Sequence, residues 1–211
     1  MKGDKKIIDI LNKLLAGELT AVDQYLIHGE TYADLGFSRL AEKSLHESDH
    51  ERQHARAIIQ RILFLEGTPH LDKRDKLNLG KTVPDMLKAD LGLEYHVVGE
   101  LKKAIADCEI AQDYVTRDML CVQLDDTEVD HAYWLEQQIR LIKQVGLQNY
   151  QQSQMSAGDK ARRVIKKLSR HSTRFSKMNS RPSTSIFFTL VCCVIGVWKN
   201  STITRINNRF A

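Results

Sequence analysis

The stretch Glu51-Arg52-Gln53-His54 lies inside a run from Ser44 to Leu65 that contains no Gly or Pro. Residues three apart share one side of a helix, so Glu51 and His54 point the same way. The same line continues through the apolar residues Ile58, Ile62 and Leu65. This pattern predicts a helix whose core-facing side carries a carboxylate and an imidazole. Burying a carboxylate is costly unless something pairs with it, and four-helix bundles use Glu-x-x-His to present ligands to a metal pair.

Length and composition indicate one globular domain with an appendage. The chain has 211 residues, of which 42% are hydrophobic and 27% are charged, and it contains only 3 prolines that would interrupt helices. No apolar signal core follows the start of the chain, and the 4 cysteines form neither a disulfide framework nor a zinc spacing. A reducing cytoplasm fits this pattern, so we expect a cytoplasmic protein.

Charge divides the chain near Ala157. Residues 1–156 have a net charge of −7, whereas residues 157–211 carry 12 Lys and Arg against one acid, a net charge of +11. We therefore predict a folded domain over 1–156 and a basic, partly hydrophobic extension over 157–211 that is not an independent domain. The apolar run 186–198 is short for a membrane span. An unselected extension, a disordered arm that binds nucleic acid by charge, and a membrane or assembly anchor remain open.

Apolar residues at heptad spacing predict four long helices, over about residues 5–35, 38–66, 83–108 and 112–145, and a short fifth helix over about 147–155. The connection over residues 68–82 is too long for a tight turn between antiparallel neighbours. A crossover along the bundle, joining two helices that run the same way, suits this length. The sequence thus predicts an all-α four-helix bundle with a long crossover between its second and third helices.

Each apolar stripe is interrupted near its middle by acids or histidine. The interruptions are Glu18, Glu51 with His54, Glu94, and Glu128 with His131. Glu51 follows Glu18 by 33 residues and Glu128 follows Glu94 by 34, so the chain consists of two similar helix hairpins. In the fourth helix, the predicted stripe around Glu128 and His131 consists of Tyr114, Cys121, Leu124, Leu135 and Ile142.

A third Glu-x-x-His pair, Glu47 with His50, has no counterpart in the second hairpin. A single match of this kind has little specificity, so we do not predict this pair as ligands. Glu47 shares the inward line of its helix and can lie behind the ligands or on an ion route. His50 lies off that line, where we expect it to face solvent or another subunit.

The six interrupting residues match the ligand set of a di-iron centre. Four carboxylates balance the charge of two ferrous ions, which offsets most of the cost of burying them. Oxygen ligands with one imidazole per metal ion suit iron or manganese. Without metal, unpaired buried groups would cost about 1–3 kcal/mol each. The alternatives are an acidic, hydrogen-bonded core without metal and, for Glu18 alone, a carboxylate at the edge of its stripe that reaches water.

Four segments resemble bacterioferritin, and with the six ligands they make the chain similar to that family from residue 1 to about 155. The segments are Met1–Asp4, Leu14–Tyr25, Arg61–Gly67 and Gly146–Tyr150. The resemblance implies a ferritin-like bundle with a ferroxidase site, in which Glu51 and Glu128 bridge two iron ions. It also implies that Glu18 and Glu94 are terminal carboxylates and that His54 and His131 are the nitrogen ligands.

The reaction implied by this resemblance is oxidation of ferrous iron by dioxygen, followed by storage as a ferric mineral in a hollow shell of twenty-four subunits. One position departs from the family's pattern. Bacterioferritin ligates haem b through a Met just after the bridging Glu of its second helix, and here that residue is Arg52. A guanidinium stays protonated and cannot ligate iron. We therefore expect no haem in a homodimer of this chain, with haem supplied, if at all, by a haem-binding partner subunit in a mixed shell.

Two other functions remain open from the sequence. One is a di-iron oxidase or oxygenase that acts on an organic substrate through the same ligands. Such proteins are usually larger because they need a substrate channel, and the body of this chain is barely longer than the bundle. The other is a structural shell subunit whose basic tail binds nucleic acid.

Overall fold

The structure, a computed structural model, describes residues 2–156 and residue 158. All secondary structure in this part of the chain is helical, which confirms the predicted all-α class. Its elements are α1 Lys5–Asp34, α2 Ser38–Phe64, α3 Val83–Ile110, α4 Tyr114–Asp125, a π segment Asp126–Ala132, α5 Tyr133–Val145 and α6 Leu147–Ser153. The predicted fourth helix is thus α4, the π segment and α5 in direct succession.

The predicted extension over 157–211, with its apolar run, lies outside the described residues except for Gly158. Its nature and the division of the chain at residue 156 therefore stay predictions. Within the described part of the chain, we find no helix with the length and apolar character needed to cross a membrane.

Local sequence explains where the helices begin and end. Asp4 accepts a hydrogen bond from the backbone N–H of Lys6 at the start of α1, and Thr82 caps α3 through the N–H of Asp85. Gly146 separates α5 from α6 with a left-handed φ of 78°, which a residue without a Cβ adopts at no steric cost. Every predicted helix end falls within 2 residues of the observed one.

Apolar side chains form two clusters, one toward each end of the bundle. One cluster joins the start of α1 to the later turns of α2 and α3, and it includes Leu11 and Ile62. The other joins the end of α1 to the first turns of α2 and α3, and it includes Leu40 and Met86. Because the first turns of α2 and α3 share a cluster, these helices run the same way, as the predicted crossover requires. The polar residues at the middle of each stripe lie between the two clusters.

The crossover lies along α1, where side chains one turn apart hold its backbone. The three contacts are Asp75 N–H to Thr20 Oγ1 at 2.7 Å, Asn78 N–H to Gln24 Oε1 at 3.1 Å, and Gly80 N–H to His28 Nε2 at 3.2 Å. Because His28 accepts through Nε2, its Nδ1 carries the hydrogen and donates to Asp90 Oδ1 at 2.7 Å. A polar face of α1, with residues four apart, therefore anchors the crossover.

We expect His28→Ala to weaken this anchor. It leaves the Gly80 N–H and the buried Asp90 carboxylate without their histidine partner, at a cost of about 1–3 kcal/mol for each group. Denaturant unfolding of the metal-free protein should show the lower stability, and hydrogen exchange should quicken at the Gly80 amide more than at that of Asp75. The control is His70→Ala, which removes an exposed imidazole from the same crossover. Equal unfolding midpoints for the two variants would contradict the anchoring role.

Candidate metal centre

Five of the six predicted ligands meet in the interior of the bundle. They are Glu18 on α1, Glu51 and His54 on α2, Glu94 on α3 and His131 on the π segment. Each of the five is at most 6% exposed. Glu18 is 1% exposed, so its carboxylate does not reach water as the alternative at the edge of the stripe would require.

Glu51 belongs to two groups of potential metal ligands. The groups are Glu18 with Glu51 and His54, and Glu51 with Glu94 and His131, each with donor atoms within 4.8 Å of one another. Glu51 turns a different oxygen to each group. Its Oε2 lies 3.1 Å from His54 Nδ1, and its Oε1 lies 2.9 Å from His131 Nδ1. One carboxylate therefore faces two neighbouring cation positions.

The two outer carboxyl groups of this cluster are costly to ionise. Burial raises the pKa of Glu18 to about 8, and the charge on Glu51 adds to the shift. Burial likewise raises the pKa of Glu94 to about 7, although a hydrogen bond with His131 opposes the shift. Glu18 Oε2 and Glu94 Oε2 accept no hydrogen bond. Both groups thus hold protons near neutral pH and have oxygens left for a cation, which explains how a metal ion fits here.

The shared carboxylate is stabilised in its charged form. Burial opposes the ionisation of Glu51, but hydrogen bonds with His131 and His54 outweigh it and lower the pKa of Glu51. Burial also opposes the charged form of His54, yet hydrogen bonds with Glu18 and Glu51 raise its pKa to about 10. The pKa of His131 is raised as well, because hydrogen bonds with the surrounding carboxylates outweigh its burial. Protonated imidazoles thus neutralise Glu51 in the metal-free cluster, and cation binding releases their protons.

Glu128 lies outside this cluster. Its side chain is 43% exposed, and its Oε1 pairs with Lys102 Nζ at 2.5 Å. The sequence argument assumed an α-helix, in which residues three apart share one side. The segment Asp126–Ala132 is a π-helix, whose i→i+5 hydrogen bonds widen the turn, so Thr127 instead of Glu128 shares the inward side with His131. The role of Glu128 as a ligand stays a prediction.

The π segment also displaces the predicted apolar stripe of the fourth helix by one residue. After the segment, Leu135 is buried as predicted. Before it, the buried position is Leu120, and Cys121 is exposed. Tyr114 is exposed too, while Thr116 is fully buried. The prediction that Tyr114 and Cys121 face the core was therefore wrong, because a single wide turn shifts the phase of all positions on one side of it.

A second group of polar side chains lies against the outer nitrogens of the two histidines. His131 Nε2 is 2.8 Å from Glu47 Oε2, and His54 Nε2 is 3.4 Å from Asp126 Oδ2. His50 Nδ1 lies 2.9 Å from His131 Nε2. Glu47 thus lies behind the ligands, as its place on the inward line predicted. His50 was expected to face solvent or another subunit but contacts the cluster, and no spacing in the sequence pointed to Asp126.

Glu18 also lines a narrow cavity between α1, α3 and the crossover. Charged side chains surround its mouth, among them Lys13, Asp75 and Glu100. Lys13 pairs with Glu100 across it. On this side, a few polar side chains separate the cluster from the protein surface.

Known proteins match this chain over the residues that build the cluster. The family described as the ferritin-like domain matches residues 8–145. A bacterial ferritin of Pseudomonas aeruginosa is 56% identical over 155 residues, which cover 74% of this chain and 100% of that protein. A bacterial ferritin of Synechocystis sp. is 54% identical over 156 residues, again 74% of this chain and 100% of the relative. A bacterioferritin of Mycolicibacterium paratuberculosis is 39% identical over 150 residues, which cover 71% of this chain and 94% of its own length.

Proposed function

Because the chain belongs to the ferritin-like family, as its resemblance to bacterioferritin predicted, we propose that it is an iron-storage protein that oxidises ferrous iron before storing it. In this proposal, two Fe(II) ions are the substrate and bind side by side in the buried cluster. Dioxygen oxidises them, and the Fe(III) product is deposited as a mineral inside a hollow shell. The protein would therefore be a ferroxidase.

The observation that carries this proposal is the position of Glu51 between two ligand groups. Reducing dioxygen takes more than one electron, and each ferrous ion supplies one. Two ions held on the two oxygens of one carboxylate are placed to supply electrons to the same dioxygen molecule. The chain's contribution is to hold the two ions at fixed neighbouring positions in a site closed to bulk water.

We propose Glu128 as the sixth ligand, bridging the two ions opposite Glu51. The other three glutamates bring three negative charges, whereas two ferrous ions bring four positive ones, so a fourth carboxylate makes the buried site neutral. The repeated hairpin and the family resemblance support this role. In the metal-free structure Glu128 pairs with Lys102, so this role requires its side chain to turn inward.

We further propose assembly into a shell of twenty-four subunits, possible as a mixed shell with a haem-binding subunit. Arg52 lies on the exposed side of α2, where its Nη1 is 2.8 Å from Asp49 Oδ1. A guanidinium at this position supplies no ligand for haem iron. The cytoplasmic location and any contact of the basic tail with nucleic acid stay predictions.

Aerobic addition of excess Fe(II) to the purified protein tests this function. We expect uptake of far more than two iron ions per chain, followed by ferric absorbance, in a particle whose native mass is that of a shell. A di-iron oxygenase would stop at two ions per chain, and a purely structural subunit would oxidise iron no faster than a protein-free control. Either of those results would contradict the proposal.

A further inference from the structure

The two histidines of the cluster use only one of their ring nitrogens toward Glu51. In both His54 and His131, Nδ1 faces that carboxylate, while Nε2 faces the second group of side chains. His50 is central to this second group, with its ring centroid 4.8 Å from that of His54 and 5.0 Å from that of His131. Imidazoles with carboxylates beside them are the donors that divalent transition-metal ions prefer.

Two sets of donor atoms in the second group are compact enough to hold an ion. They are Glu47 with His50 and His131, and His50 with His54 and Asp126, each within 4.8 Å. In the first set, Lys43 Nζ already lies 2.5 Å from Glu47 Oε1, so an ammonium balances that carboxylate. In the second set, Asp126 Oδ2 faces the Nε2 atoms of His50 at 4.0 Å and His54 at 3.4 Å. The second set is therefore better arranged for a cation.

Exposure separates this set from the buried cluster. The side chains of His50 and Asp126 are 27% and 37% exposed, whereas those of His54 and Glu18 are 7% and 1% exposed. An ion can thus reach His50 and Asp126 from solvent without any opening of the bundle. His54 belongs to both groups and joins the exposed donors to the buried ones.

We propose that His50, Asp126 and the Nε2 atom of His54 form a third divalent-metal site, from which an ion passes to the buried positions beside Glu51. This proposal deepens the proposed function, because those buried positions are where we expect iron to be oxidised.

The shared histidine makes this third site a place of transit. A neutral imidazole has one nitrogen with a free lone pair, so His54 binds an outer ion through Nε2 or a buried ion through Nδ1, but not both. Once a buried ion is bound, His54 Nε2 carries a hydrogen, and Asp126 is placed to accept it, as carboxylates behind metal-binding histidines commonly do. Filling of the buried position therefore releases the outer ion.

The first test is an anaerobic Co(II) titration of the full chain carrying both Glu18→Gln and Glu94→Gln, read by the visible absorption of bound cobalt. These changes remove two buried carboxylates and leave the three outer donors in place. We expect one Co(II) per subunit to bind, and we expect His50→Ala, added to this variant, to weaken binding roughly ten- to a hundredfold. His70→Ala, added instead, should not. Absence of Co(II) binding, or binding that His50→Ala leaves unchanged, overturns the proposal.

A second measurement decides the matter if the doubly substituted chain does not fold. In the otherwise unaltered protein, His50→Ala should slow the loading of the buried Co(II) ions roughly tenfold and leave their final number unchanged. A loading rate equal to that of His70→Ala overturns the proposal. Cobalt binding is read without iron oxidation, so a lack of ferroxidase activity in the unaltered chain counts against the proposed function and leaves this site to be judged by the cobalt measurements.

Discussion

Glu51→Gln should lower the initial rate of Fe(II) oxidation by more than about 100-fold, beyond the 10- to 100-fold loss typical of residues that only support metal ligands. Glu51 is the residue common to both ligand groups, and its two oxygens face different histidines. Its loss therefore weakens both ion positions together, whereas Glu18→Gln or Glu94→Gln weakens one. The amide keeps the size of the side chain but carries no negative charge to hold two cations.

The same substitution should leave the bundle folded. His54 and His131 keep other carboxylates nearby, since Glu18 Oε2 lies 3.8 Å from His54 Nδ1 and Glu47 Oε2 lies 2.8 Å from His131 Nε2. Stopped-flow absorbance of ferric iron gives the oxidation rate, and circular dichroism with native mass measurement checks folding and assembly.

The matched control is Glu42→Gln, which makes the same chemical change on the exposed side of the same helix. It should oxidise iron at the unaltered rate. A folded and assembled Glu51→Gln variant that retained a tenth or more of that rate would contradict the shared role of this carboxylate.

Heptad spacing alone was enough to place three of the carboxylates in the interior. A helix that is buried on one side repeats its apolar positions every three or four residues, so an acid within that repeat is carried to the core. Glu18, Glu51 and Glu94 all lie in regular α-helix, and all three are at most 2% exposed. The pattern also predicted the helix ends and the crossover, because glycines, capping residues and the length of the connection are local signals.

The change of helical period at Asp126–Ala132 could not be predicted in this way. An apolar pattern reveals the phase of a helix only where the buried residues are apolar, and here Gln123 and Thr127 are the buried ones. The anchor of the crossover was hidden for a similar reason. Polar residues four apart on α1, such as Thr20 and Gln24, look like a solvent-facing side, and their partners are backbone N–H groups 54 or 55 residues away.

Glu128→Gln should reduce the oxidation rate roughly 10- to 100-fold, although Glu128 lies outside the metal-free cluster. Its ion pair with Lys102 is exposed, and such pairs contribute at most about 1 kcal/mol. An unbalanced positive charge in the buried site costs more than that. If the π segment returns to regular α-helix, Glu128 turns to the same side as His131, where it neutralises the second ion. Binding of two divalent ions therefore favours the inward position.

Lys102→Ala distinguishes the carboxylate from its ion pair, because it breaks the same contact and keeps Glu128. We expect this variant to oxidise iron at least as fast as the unaltered chain, since nothing then holds Glu128 outside. Unfolding of the metal-free protein should differ little between the two variants, as both lose one exposed pair. If Glu128→Gln and Lys102→Ala both oxidise iron at the unaltered rate, the five buried residues are a sufficient ligand set and Glu128 does not turn inward. If both are equally slow, the ion pair itself matters, and the proposed bridging role of Glu128 is wrong.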